Sequence, residues 1–217
     1  GEGRYSDDVN LPGQIYGIMV RSPVAHGILR SIDTQPAKTI HGVLAIYTAK
    51  DLEPMGYGQI RCALPITNRD GSAMLGNGRS ALAHDKVRYV GDPVAFVVAT
   101  SREAAIDAAE AVSLDIEALP AVTEAHEAVK DGAPLLYDHV PHNVAVDFHW
   151  GDSAKVNQAF QKAAHITKLD LRNNRIVVAA MEPRAAVAAY DNKTGDYTIH
   201  ANSQGVFGMR ATLSGIM

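Results

Sequence analysis

One cysteine, Cys62, stands among 217 residues, so the chain closes no internal disulfide and holds no iron–sulfur cluster on four thiolates of its own. No neighbouring motif activates that thiol, and Cys62 reads as a small buried hydrophobe rather than a reactive group. An excess of positive charge is also missing. Twenty lysines and arginines against 24 aspartates and glutamates leave a net charge of −4, and the bases are scattered. No basic face is available to displace counterions from a phosphate backbone, which excludes nucleic acid as the expected partner. No apolar run approaches the roughly 20 residues needed to cross a bilayer. The amino terminus lacks the basic, apolar and small-residue succession of a secretory signal, so the expected setting is the cytoplasm. Phosphate loops, strand-linked Gly-x-Gly-x-x-Gly and His-Glu-x-x-His are absent as well, which removes the nucleotide and zinc chemistries that depend on them.

What is present is the composition of a globular protein, 47% hydrophobic and 20% charged, enough for one large or two modest domains. Ile15 to Val20 reads as a first strand after the Leu11-Pro12-Gly13 turn, and Ile28 to Asp33 as a second. A helical turn over Pro36 to Ile40 precedes a buried strand, Val43 to Thr48, and a short helix ends near Leu52. Residues 53–84 are rich in glycine and proline and read as a long excursion with little secondary structure. Order returns at Lys86 to Val90. Pro93 to Thr100 is then a strand apolar on both faces, Ser101 caps a helix running to about Ala111, and Val112 to Ile116 completes a strand, helix, strand unit. Proline and turn formers mark Glu117 to Trp150 as a connection. Beyond it, Asp152 or Ser153 caps a helix to about Ala163, and His165 to Leu171 is expected as a strand. Ala185 to Tyr190 and Tyr197 to Asn202 form a hairpin turning at Gly195. The chain starts at Gly1 and stops at Met217 inside an apolar, helix-like stretch without a stop signal, so the expectation is a polypeptide cut at both ends.

Few residues stand out as chemistry. His139 and His142 are spaced by three, but Pro141 forbids a helix interior, so they read as loop histidines rather than one face of a metal site. Asp7 and Asp8 point to opposite faces of an extended segment and read as turn and cap formers. Arg21, near Ser22 and His26, offers a fork to an anion, although a structural ion pair at the strand end is the expected use. Glu182 is either a general base or, as preferred here, the partner of Arg184 in a buried pair. Gln204, in Asn202-Ser203-Gln204-Gly205, either hydrogen-bonds a cofactor or caps the next helix, and its amide suits both.

Taken in order, the phrases Gly3-Arg4-Tyr5, Val20-Arg21-Ser22-Pro23, His41-Gly42-Val43, Val87-Arg88-Tyr89-Val90-Gly91-Asp92-Pro93-Val94-Ala95, Leu119-Pro120-Ala121-Val122, Asn143, Gly151-Asp152, Met181-Glu182-Pro183-Arg184 and Ser203-Gln204 form an ordered set. That set resembles the start of the large subunits of molybdenum hydroxylases, the xanthine dehydrogenase, aldehyde oxidase and carbon monoxide dehydrogenase family. The resemblance implies an α+β fold: a mixed-sheet a/b hammerhead domain over residues 1–120, a linker at 121–142, and the incomplete first part of an α+β molybdopterin-binding domain at 143–217. It implies part of an enzyme that oxidises a carbon centre of a small-molecule substrate with oxygen from water. The implied cofactor is molybdenum on molybdopterin, in the cytosine dinucleotide form, with electrons leaving to [2Fe–2S] clusters and FAD on an iron–sulfur subunit and an FAD subunit. Gln204 matches the family's glutamine that hydrogen-bonds an oxygen ligand on molybdenum. The resemblance places the catalytic base and the substrate-selecting loop in the remainder of the large subunit, so the fragment is expected to be inactive alone. The alternative is a non-enzymatic docking or scaffold module that retains the hammerhead fold.

Overall fold

The computed structural model describes residues 2–61, 66–76 and 78–217, and Cys62 lies outside them. Two compact units are built from interleaved stretches of chain. One comprises residues 10–65, 74–146 and 203–217, the other residues 1–9, 66–73 and 147–202.

The larger unit holds the hydrophobic core. Strands β1 (Tyr16–Arg21), β2 (Gly27–Asp33) and β3 (Val43–Thr48) come first, with helix α1 (Gln35–Lys38) between the second and third and α2 (Ala49–Leu52) after them. Short β4 (Lys86–Val87), then β5 (Pro93–Ala99), α3 (Arg102–Ala111), β6 (Ser113–Ala118) and α4 (Ala125–Ala128) follow. β5 lies centrally in a three-stranded sheet of order β1-β5-β3, and a second sheet has the order β4-β2-β6. The central place explains the unbroken run Val94-Ala95-Phe96-Val97-Val98-Ala99: its side chains meet protein on both faces, and Val94, Ala95, Val97 and Ala99 are buried. Ser101 caps α3 by accepting the backbone N–H of Ala104 at 3.1 Å. Ala105 and Ala108 are buried on α3, and this small-residue face lets the helix lie close to β1 and β5. Ala108 joins Val20, Ala37, Ile46, Val87, Val94, Val97 and Val112 in one core cluster.

The α+β class stands, but the sheets are not mixed. Every ladder between the named strands is antiparallel. The two strands of the strand, helix, strand unit do not pair with each other, because β5 already has β1 and β3 on its two edges. With no edge left on β5 itself, β6 pairs with β2 instead. The excursion at 53–84 contributes only the isolated bridges Ile60–Arg79 and Thr67–Ala73 among its described residues.

In the smaller unit, Asp152 rather than Ser153 caps α5 (Ser153–Lys162). Its carboxylate accepts the N–H of Lys155 at 3.0 Å, and that backbone donor holds the Asp152 pKa below the ordinary carboxylate range. β7 (Ala186–Tyr190) and β8 (Tyr197–Ala201) form the expected hairpin, with Gly195 at φ 77° in its turn. The strand expected at His165 to Leu171 does not form. Those residues carry no helix, ladder or turn, and among the described residues no backbone hydrogen bond reaches them. No helix is long and apolar enough to cross a membrane among the described residues.

Candidate cofactor-contacting turn

Gln204 sits in the bend just before α6 (Val206–Ile216). Ser203 shapes this bend: its hydroxyl accepts the backbone N–H of Gly205 at 2.9 Å. Gly205 is the N-cap residue of α6, and no side chain caps that helix. The cap alternative for Gln204 is therefore not realised; its side chain is exposed and makes no hydrogen bond among the described residues. Uncapped, the first turn of an 11-residue helix presents backbone donors and the positive end of its dipole. A Cβ at Gly205 would meet nothing within 4 Å, so the backbone there is open to close approach. An amide able to donate and accept, beside free helix-start donors and an uncovered glycine, fits an oxygen-rich anionic group such as a pterin phosphate or an oxygen-ligated metal.

The other singled-out residues are structural. Glu182 does not pair with Arg184. Its carboxylate accepts the backbone N–H of Ser6 at 3.3 Å, while Arg184 is exposed. The two are only two positions apart, and the non-local partner won. Arg21 forms no ion pair among the described residues either; its guanidinium donates to the carbonyl of Gly91 at 2.9 Å, which ties the end of β1 to the Gly91-Asp92 turn. His26 is buried, with Nδ1 2.9 Å from the carbonyl oxygen of Pro120. Asp8 accepts the N–H of Tyr5 at 2.8 Å, the turn-forming use expected of it. His142 is held at φ 52° in a loop and lies 3.5 Å from Asp131, and His139 packs edge-on against Tyr137.

One constellation escaped sequence reasoning. His84 lies 3.0 Å from Glu53 through Nδ1 and 3.1 Å from Ser80 through Nε2, the order of a nucleophile, base and acid triad. Such a triad needs a site that excludes water and donors for an oxyanion. Here the His84 and Glu53 side chains are 40% and 61% exposed, so solvent screens their charges and the contacts serve to tie the two ends of the long excursion together.

Known proteins match the chain along its length. The aldehyde oxidase and xanthine dehydrogenase a/b hammerhead domain matches residues 1–120, and the molybdopterin cofactor-binding domain matches residues 136–217. The chain belongs to the aldehyde oxidase and xanthine dehydrogenase family. Its residues correspond to the amino-terminal hammerhead and the start of the cofactor-binding domain of a molybdenum hydroxylase large subunit. It is 32% identical to the carbon monoxide dehydrogenase large chain of Afipia carboxidovorans over 99% of its own length and 27% of that protein. It is 35% identical to the nicotine 6-hydroxylase large subunit of Paenarthrobacter nicotinovorans, over 88% of its length and 22% of the relative. Among solved structures, quinoline 2-oxidoreductase from Pseudomonas putida 86 superposes with a TM-score of 0.83 at 29% identity, covering 99% of this chain and 27% of that one. The chain thus spans about a quarter of the length of these relatives.

Proposed function

We propose that this chain is part of a molybdenum-cofactor-dependent hydroxylase that oxidises a carbon centre of a small-molecule substrate with oxygen from water. In this reading residues 1–120 form the hammerhead domain, 121–142 a linker and 143–217 the start of the cofactor-binding domain, with the remainder of the large subunit completing the site. The cofactor, in the cytosine dinucleotide form, supplies the two-electron redox centre, and electrons leave to [2Fe–2S] clusters and FAD on partner subunits.

One observation carries the reading: the exposed, unengaged amide of Gln204 at the uncapped start of α6. Gln204 would hold an oxygen of the bound cofactor by donating a hydrogen bond from its amide. Ser203 holds the bend in place through Gly205, and the amides of the first turn of α6 offset negative charge on the bound group.

The test is Gln204→Ala in the complete large subunit assembled with its electron-transfer partners. Molybdenum content is expected to be retained while turnover falls about 10- to 100-fold, with a changed molybdenum paramagnetic spectrum. Full turnover with an unaltered spectrum would remove Gln204 from the site.

A further inference from the structure

A strand needs a partner, and one stretch of this chain is patterned as a strand without having one. From His165 to Leu171 the residues carry no secondary structure, and no backbone N–H or carbonyl of these residues takes part in a backbone hydrogen bond among the described residues. Yet its last four residues alternate: Leu169 and Leu171 fall on one side of an extended chain, with Lys168 and Asp170 on the other. Leu169 and Leu171 are 75% and 84% exposed, and Ile176, Val177 and Val178 just beyond them are 83%, 93% and 78% exposed. Single exposed apolar side chains are ordinary, but five in one short stretch mark a surface that another chain segment covers.

The character of that surface selects the cover. Interfaces with transient redox partners are small and polar, whereas those made within one subunit resemble a core cut open. Leucine, isoleucine and valine on a backbone with open hydrogen-bonding groups belong to the second kind, and they invite addition of an extended segment edge to edge. The fold of 99% of this chain is shared with carbon monoxide dehydrogenase at a TM-score of 0.81, yet it accounts for 27% of that chain. The occupant is therefore sought in the polypeptide that such a subunit has in addition.

We propose that residues 165–171 are a docking strand, paired in the assembled protein with an apolar extended segment from the remainder of the same large subunit. The inference rests on the reading of this chain as part of such a subunit.

Hydrogen–deuterium exchange on the complete large subunit, purified without its iron–sulfur and FAD partners, tests it. The β7 and β8 amides serve as the internal standard for a paired ladder. Amides of 165–171 are expected to exchange within about tenfold of that standard, and at least a hundredfold slower than an unstructured peptide. Exchange at the unstructured rate overturns the proposal. So does protection that appears only after the electron-transfer subunits are added, since the cover would then come from them. Molybdenum content of the same sample separates the two readings: metal retained with a freely exchanging segment defeats the docking strand alone, and a protected segment without metal supports the strand while defeating the cofactor assignment.

Discussion

The carbonyl oxygen of Glu117 stands 2.8 Å from the point where a Cβ on Gly27 would be built, and Cγ2 of Ile116 stands at 2.6 Å. β2 and β6 therefore approach each other more closely at their open end than any residue but glycine permits. Since the oxygen belongs to the backbone, it cannot swing aside.

Gly27→Ala is accordingly expected to destabilise the protein by about 1–3 kcal/mol, the usual cost of overpacking a well-filled site. Gly17 is the informative comparison. The atoms nearest to its absent Cβ all belong to the ring of Phe96, and a side chain can turn away where a carbonyl cannot. Thermal denaturation should rank Gly27→Ala below Gly17→Ala, and the reverse order would show that the β2–β6 contact yields easily.

Asn143 organises the loop before it with one side chain. Its amide oxygen accepts the N–H of Leu136 at 2.8 Å, and its nitrogen donates to the carbonyls of Ala128 at 2.9 Å and Pro134 at 3.0 Å. It also holds φ at 56°, a conformation that asparagine tolerates better than alanine. Asn143→Ala should cost about 2–3 kcal/mol at roughly 1 kcal/mol per hydrogen bond. Asn143→Asp keeps the acceptor but sets a carboxylate against two carbonyl oxygens, so it should be at least as harmful at neutral pH. A chemical denaturation series that left both variants at wild-type stability would contradict this role.

Asp51 makes stability depend on pH in the acid range. Its carboxylate accepts the hydroxyl and the backbone N–H of Thr48, each at 2.7 Å, and the hydroxyl bond is the larger cause holding its pKa below the ordinary value. A lowered folded-state value means that unfolding takes up protons in that interval, so the stabilisation is complete above about pH 4 and disappears as the pH falls through the lowered value. Melting temperatures of Asp51→Asn and the parent should separate above about pH 4 and converge as the pH falls through the lowered value. A constant offset across that range would mean the contact is not ionic in origin.

Much of the fold was legible because it is set by near neighbours. Ser101 and Asp152 cap their helices through N–H groups three residues away, and Gly195 turns its hairpin within the same few residues. The double-sided apolarity of Pro93 to Ala99 announced a central strand. Gln204 was legible as a polar residue before a helix, but only the structure shows that it leaves the cap undone and its amide free. The Ser80, His84 and Glu53 cluster was illegible, since 27 positions separate Glu53 from Ser80 and no periodicity links them.

The sequence by itself determined where most strands and helices begin, which residues terminate them, and the family to which the chain belongs, because caps, turns and ordered phrases are local properties. Tertiary structure alone decided that β6 joins β2 and that Glu182 holds Ser6 rather than Arg184. Each of these is a competition among distant partners for an edge or a donor that accepts only one of them, and its outcome depends on which edges are already taken when the chain has folded.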